Sequence, residues 1–543
     1  MLKIAEWLLC AVCFRRMRLA TLPVQVRRFS LFILAALGFA SVGRAQVSDA
    51  SLSAMGLEKM WSGQLQMPVE EGRIVSNHLW TIAGDRQTFA ELTLPPGVGG
   101  GLLGGNRTLR ASADRLGPDG KAIGIEAAKK EVEIQAARML GRMASISAVE
   151  VSVPMVYLAV ITSDGYVQTF DAETGQKLWS NTCGSPRFPA APASVSDAGV
   201  VVAHGPDLYL FDWKTGKLLS RRGMKRASSA GVALMDNVAF VSSLSGQLMA
   251  FNLSEGETLN NWTYRLYGRT VSAPATSHRP NKLVAFATDD GRVTVFSADE
   301  GIEPWFDFEA RAQLAGPISF HGGGLYCGDV AGQITKIAVD RTGRIAWRLM
   351  IGDALGAPPV VHDKTVYVTN EIGIMIAADD QTGLPLWNVP VPSVRSILSA
   401  TKDKVYCRSL TNRLLAVDAA TGKILANSAP SVIHVDVVNH LNDRVYVISE
   451  DGQIMCLRLR GKEHALPDFH EVLPVPTETP KPQADATEAP AVETMEGAAE
   501  PATVDPFGSA TGAADAFGTP TTPPATTEAD PFATPPAGAA NPF

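Results

Sequence analysis

Cysteine is scarce in this 543-residue chain, and its six copies are dispersed. Cys10 and Cys13 sit near the start, while Cys183, Cys327, Cys407 and Cys456 fall far apart. No two cysteines are adjacent, and the last four lack metal-ligand spacing, so they read as small core residues, with an unforced disulfide as the other option. Long apolar runs are also missing: Phe29 to Ala40 falls short of the roughly 20 residues a spanning helix needs. Positive charge is in deficit, with a net charge of −7, which excludes the basic groove of a nucleic-acid binder. Gly97, Gly99, Gly100, Gly101, Gly104 and Gly105 make a glycine-rich stretch, but no Lys-Ser/Thr follows it and no strand-to-helix unit surrounds it, so it is a loop and not a phosphate cradle. Histidines and carboxylates form no cluster along the chain either. His321 precedes three glycines, and His434 and His440 read as loop or strand residues.

What is present is a repeat. The stretches SDGYVQTFDAETGQKLW from Ser163 and EIGIMIAADDQTGLPLW from Glu371 are two copies of one phrase, and LTNRLLAVDAATGKILA from Leu410 is a third without the tryptophan. Taken at Gly165, Pro206, Gly246, Gly291, Gly332, Gly373, Asn412 and Gly452, the phrase recurs eight times in steps of 41, 40, 45, 41, 41, 39 and 40 residues. A unit of about 40 residues holding four short strands has the size of one β-propeller blade, which buries enough surface only when stacked around an axis. Within the units, Val366-Tyr367-Val368 and Val445-Tyr446-Val447 have the β-branched and aromatic character of buried strands. The expectation is an all-β chain: an eight-bladed β-propeller of four-stranded antiparallel blades over residues 146–466.

The recurring polar residues read as architecture. Asp171 to Gly175, Asp212 to Gly216, Asp379 to Gly383 and Asp418 to Gly422 each spell Asp-x-x-Thr-Gly. A short carboxylate bonds to the backbone two residues on, and glycine takes positive φ without a Cβ clash. Catalysis has no reason to recur in every blade, so no catalytic residue is assigned. Trp179, Trp305, Trp347 and Trp387 follow the turn glycines at a fixed offset and read as wedges between neighbouring sheets, with Trp262 displaced by two positions and Ser220 and Ala426 in its place elsewhere.

The Thr-Gly-x-x-x-Trp signature behind a Val-Tyr-Val strand resembles the pyrroloquinoline-quinone (PQQ) repeat family of β-propellers, and the BamB-like outer-membrane assembly proteins in particular. The resemblance spans about residues 146–466 and implies two functions. One is a noncatalytic envelope scaffold whose blade-connecting loops bind other proteins. The other is a PQQ-dependent dehydrogenase, which would carry a vicinal cysteine pair, a Ca²⁺-binding set of Glu, Asn and Asp, and long loops roofing the cofactor. The chain has no adjacent cysteines and its repeat steps are near the minimum blade length, so the scaffold is the expected function, with no cofactor and no metal. A sensor or adhesion module on the same propeller is the third option. BamB-like proteins are often lipid-anchored; Cys10 and Cys13 follow Leu8-Leu9 and Ala11-Val12 rather than a lipobox, so membrane association is expected to be at most indirect.

The eighth copy lacks the Thr-Gly turn and the tryptophan, so a ring needs its outermost strand filled from elsewhere. The strand-like segment Ile74 to Leu94 is the expected closing strand, followed by the loop over 95–120 and a helix over about 123–143, where Ile125, Ala128, Val132, Ala136 and Met139 keep helical spacing. Residues 1–45 read as an export leader: Arg27-Arg28, the apolar run, then Gly43-Arg44-Ala45 with cleavage before Gln46, and Met17 as an alternative start. Residues 471–543 carry eleven carboxylates against one lysine and abundant Pro, Ala and Thr, the composition of a disordered acidic tail. Within it stand Asp505-Pro506-Phe507, Asp530-Pro531-Phe532 and Asn541-Pro542-Phe543, short turns that present phenylalanine and could recruit a partner by avidity. Export to the periplasm or outer membrane, with envelope proteins as partners, is the expectation.

Overall fold

The computed structural model describes residues 47–66, 74–94, 107–118, 120–140, 147–254, 261–430, 433–461 and 466–470. The leader before residue 47, the glycine-rich stretch Gly97 to Gly105 and the acidic tail with all its Phe motifs lie outside the described residues. In chain order the first elements are helix α1 (Asp49–Met55), strands β1 (Leu57–Gln64), β2 (Ile74–Leu94) and β3 (Arg107–Ser112), helix α2 (Ile125–Leu140) and strand β4 (Val149–Thr162). All remaining described elements are short strands.

Eight antiparallel sheets form, one for each sequence repeat. The innermost strands of blades 1 to 5 touch in sequence, as do those of blades 6, 7, 8 and 1, and β2 of the first blade touches both Ser194–Ser196 of the second and Val435–Val437 of the eighth. The central strands are buried on both faces, as at Leu283–Ala287 and Gly324–Gly328, so each blade is sandwiched between its neighbours. The β-branched runs of the repeat are the residues a doubly covered strand requires. Blade 6 keeps only three regular strands, because Pro385, Pro390 and Pro392 interrupt its outer edge. Proline has no N–H to donate to a ladder. Backbone bonds still tie that edge to the third strand, from Leu386 N to Ala377 O at 2.8 Å and reciprocally between Met375 and Val391, at 2.8 Å from Met375 N and 2.9 Å from Val391 N.

The closing strand is not Ile74–Leu94. Strand β1 pairs antiparallel with Gln453–Leu459, from Leu57 opposite Leu459 to Gln64 opposite Gln453, and supplies the missing outer edge of blade 8. The chain ends of the ring leave two vacancies, an outer strand in blade 8 and an inner strand in blade 1, and the amino-terminal segment fills both. β2 takes the second, pairing Ile74–Thr81 with β4, then breaks register at Ile82–Asp85 around Gly84 (φ 86°) and continues beyond the ring. There, its distal half pairs with β3, so residues 107–112 are a strand where the sequence suggested only loop. α2 packs Ala128, Val132 and Ala136 against Ala90, Leu92, Leu94 and Leu109 of this small sheet.

A second helix, α1, accompanies the expected one. Ser48 caps it by accepting from Ser51 N at 3.2 Å, and Gly56 ends it in the left-handed region at φ 75°. Leu52 and Met55 bury between blades 7 and 8 with Leu398, Tyr406 and Val445. It anchors the closing strand at its start.

Candidate functional site

Strand order fixes two faces. The second-to-third strand turns and the blade-to-blade crossovers share one face; the first-to-second turns and the Asp-x-x-Thr-Gly turns share the other.

The repeated aspartates are turn-formers. Asp212 accepts from Lys214 N at 3.0 Å and from Thr215 N and Oγ1 at 2.7 Å; Asp379 accepts from Thr382 N and Oγ1 at 2.8 Å, and Asp418 from Thr421 N at 2.8 Å. The Thr hydroxyls, then the backbone N–H groups, hold Asp379 and Asp418 below the ordinary carboxylate range. Asp171 uses the same motif, yet burial raises it, against the bonds from Thr174 and Glu173 N. The glycines sit at positive φ, 73° at Gly175, 67° at Gly216, 72° at Gly383 and 74° at Gly422.

Each of these glycines is also a seat for the preceding blade's aromatic. A Cβ on Gly216 would lie 2.4 Å from the Trp179 ring, one on Gly383 2.6 Å from Trp347, and one on Gly422 2.8 Å from Trp387. The indole N–H groups donate across the seam, from Trp179 to Trp213 O at 2.6 Å, Trp347 to Asp380 O at 2.8 Å and Trp387 to Ala419 O at 3.0 Å. Glycine and tryptophan are therefore two halves of one inter-blade joint.

Trp305 does not fill the role its position suggested. Phe306 occupies the seat on Gly343, where a Cβ would stand 2.5 Å from its ring, because the chain from Gly301 to the outer strand carries one extra residue: Phe296 faces Pro304, three past the glycine, whereas Phe170 faces Lys177 and Ile337 faces Ile345, each two past. Trp305 instead lies under Arg341, whose Cζ is 3.7 Å from the ring centroid. The eighth joint is made by Trp61 of β1, which donates to Ala172 O at 2.9 Å and fills the seat on Gly175. The sequence signal for it was faint: Trp61 follows Gly56 by five residues where the repeat has four, and Met55 stands where the repeat has threonine.

The crossover face carries the features of a protein-binding surface. Leu244, Val330, Ile372 and Leu410 stand at the tips of the second-to-third strand turns of blades 3, 5, 6 and 7, with exposures of 69%, 53%, 57% and 44%. Tyr267, Met350 and Val389 are exposed on the adjoining crossovers. Ile372 and Leu410 belong to neighbouring turns in contact, since the Leu410 side chain covers Gly373. Arginines stand among them: Arg292 lies over the Tyr267 ring at 4.2 Å and Arg269 pairs with Asp289 at 3.2 Å. Apolar and aromatic tips set among arginines are the composition of interface hot spots, and scattered single side chains would not recur at the same turn of successive blades.

The opposite face holds a cleft of about 300 Å³ between the amino-terminal extension and blades 1 and 2. In it, Asp85 accepts from Tyr157 Oη at 2.8 Å and from Lys214 Nζ at 2.7 Å, so its polar groups are mutually paired. Cys183, Cys327, Cys407 and Cys456 are buried free thiols in separate blades, and burial pushes each upward, Cys183 and Cys327 to about 12. Among the described residues, no three His, Cys, Asp or Glu side chains are arranged to hold a metal ion. At the ring's centre, however, His321 and His440 are brought together, with ring centroids 4.5 Å apart. They lie 119 positions apart in sequence.

Comparison with known proteins agrees with the repeat. Residues 204–337 and 330–463 each match the family described as outer membrane protein assembly factor BamB. The protein of that name from Burkholderia pseudomallei is 28% identical over 269 residues, 46% of this chain and 68% of the relative. A quinohemoprotein alcohol dehydrogenase of Pseudomonas putida is 31% identical over 96 residues, which is 15% of this chain and 14% of that enzyme. A crystal structure of BamB from Moraxella catarrhalis aligns with a TM-score of 0.46 at 16% identity, covering 55% of this chain and 93% of that one. No helix among the described residues is long and apolar enough to cross a membrane.

Proposed function

We propose, from the premise that this chain is a BamB-like β-propeller of the PQQ-repeat family, that it is a noncatalytic scaffold of the cell envelope that binds other envelope proteins and assists outer-membrane protein assembly. The observation that carries this reading is the row of exposed apolar tips at Leu244, Val330, Ile372 and Leu410 on one face, set among arginines. A propeller offers that face as a rigid platform. Its loops lose little entropy on binding, because the strands on either side already fix them. The likeness to the dehydrogenase spans about one blade-pair's length and so speaks for the repeat, which a scaffold and an enzyme share.

The exported location and the Phe motifs of the tail extend the same reading: the ring docks through its crossover face, and Asp505-Pro506-Phe507, Asp530-Pro531-Phe532 and Asn541-Pro542-Phe543 add weak tethered contacts. Crosslinking in the native envelope, followed by mass spectrometry, tests it directly. The expected result is capture of outer-membrane assembly proteins by probes placed at Ile372 and Leu410 and not by probes on the opposite face. Equal capture by both faces, or saturable stabilisation by PQQ with Ca²⁺ and dye-linked alcohol oxidation, overturns it.

A further inference from the structure

Four histidines from distant parts of the chain meet at the centre of the ring, on the face opposite the crossovers. His321 ends the innermost strand of blade 5 and His362 that of blade 6. His440 stands in the loop between Val435–Val437 and Val445–Ile448 of blade 8, and His470 ends the described chain. His321 and His440 have ring centroids 4.5 Å apart; His362 and His470 are stacked at 4.6 Å with 21° between their planes. Blades 5 and 8 are not neighbours around the ring, so the first contact crosses its middle.

The loop bearing His440 is held in place. Asn439 donates through Nδ2 to Asn442 Oδ1 and to Arg444 O, both at 2.7 Å, and its backbone N–H donates to Leu398 O of blade 7 at 2.7 Å. The segment Leu466–His470 is strapped onto that loop. His470 N donates to Leu441 O at 2.9 Å, Asp468 N donates to Asp443 Oδ1 at 3.0 Å, and Phe469 bridges to Asn442. Yet His321 Nε2, His440 Nδ1 and His470 Nδ1 are enclosed with no hydrogen-bond partner. A fully satisfied structural histidine does not leave its nitrogen in that state.

We propose that these four imidazoles are a proton-operated latch: neutral, they pack ring against ring and hold Leu466–His470 across the ring's centre, and when protonated they repel and release that strap. The charges around them are few. Asp380 faces His321 but is already held by Lys336 Nζ at 2.7 Å and by Tyr326 Oη. Asp363 and Asp468 face His362 and His470, while His440 faces, among the described residues, the imidazoles of His321 and His470. Burial first, then the neighbouring imidazoles, keeps His440 well below the ordinary histidine range, and burial brings His321 down to about 4. Two carboxylates cannot neutralise four cations, so acid favours the open strap.

Hydrogen exchange of the full chain at pH 7.5 and pH 5, expressed as protection against intrinsic rates, tests the latch. The amides of His470 and Asp443 are expected to lose at least tenfold protection at pH 5, while those of strand β1 keep theirs. In the double variant His362→Phe and His470→Phe, which preserves a stack without charge, the strap is expected to stay protected at both pH values. His440→Gln, which removes the middle charge, is expected to move the loss to lower pH. Equal protection of the strap at both pH values in the unaltered chain overturns the proposal. So does a pH step that persists in the double phenylalanine variant or is unmoved in His440→Gln.

Discussion

Arg444 Nε lies 3.2 Å from Glu173 Oε1, with neither side chain exposed, although 271 positions separate the two residues in the chain. Glu173 belongs to the turn Asp171-Ala172-Glu173-Thr174-Gly175 of blade 1, and Arg444 leads into a central strand of blade 8. Arg110 of β3 binds the same carboxylate at 3.1 Å and Glu91 at 2.9 Å. Asp443 completes the set, 3.1 Å from Arg444 Nη1. The seam where the two ends of the propeller meet is thus sealed by a buried network of two arginines and three carboxylates that also docks the amino-terminal extension.

Breaking that network from one side leaves an uncompensated buried charge. Arg444→Met is expected to destabilise the ring by about 3–5 kcal/mol, and adding Glu173→Gln to recover part of that loss. Urea unfolding of the two variants and the parent measures both terms. A double variant no more stable than Arg444→Met would show that the pair does not act as a unit.

The joint at the closing strand depends on Trp61 and Gly175 together. Trp61→Ala removes a wedge and its bond to Ala172 O, for an expected loss of about 3–5 kcal/mol. Gly175→Ala would place a Cβ 2.4 Å from the Trp61 ring and force an L residue to φ 73°. Gly301→Ala, at φ 84° but with nothing within 4 Å, carries the backbone strain alone and is expected to cost about 1 kcal/mol. The difference between the two glycine variants in urea unfolding isolates the joint.

Blade 4 separates position in a motif from position in space. Phe306→Ala is expected to cost about 3–4 kcal/mol, whereas Trp305→Ala loses chiefly a stacking contact with Arg341 of about 1 kcal/mol. Thermal or urea unfolding of the pair reverses this order if Trp305 is the wedge.

Acid should weaken the ring over a defined window. His78, His278 and His321 are each lowered by burial from 6.5 to about 4, so between those values the unfolded chain binds more protons than the folded one. Stability is therefore complete above about pH 6.5, falls as the pH drops through that window, and stops falling from this source below about 4. Each group contributes at most about 3 kcal/mol. Urea unfolding at steps from pH 7.5 to 4 measures the slope, and His78→Gln is expected to flatten part of it.

Much of the architecture could be read from local spacing, because each blade repeats the same local solution. Asp212, Asp379 and Asp418 bond within their own turns, and a four-residue interaction leaves a four-residue signature. The first-turn positions gave eight units, and eight sheets stand there. Trp305 and Phe306 mark where this stops: one extra residue between Gly301 and the outer strand moves that strand by one position, and the fixed Gly-to-Trp offset conceals the shift. The binding face was invisible for a similar reason. Leu244, Val330, Ile372 and Leu410 look like isolated apolar residues in turns until the ring brings those turns to one side.

The sequence by itself determined the repeat, its turn chemistry and the need for a closing strand, since these depend on residues close together in the chain and on the area one sheet can bury. Only the tertiary structure decided which segment closes the ring, that Trp61 supplies the eighth wedge, that Arg444 meets Glu173, and that His321 and His440 face each other across its centre. Each of these is a pairing between residues more than 100 positions apart. Closing such a loop costs chain entropy that no local pattern records, and the contact exists because the circle of blades has already been closed.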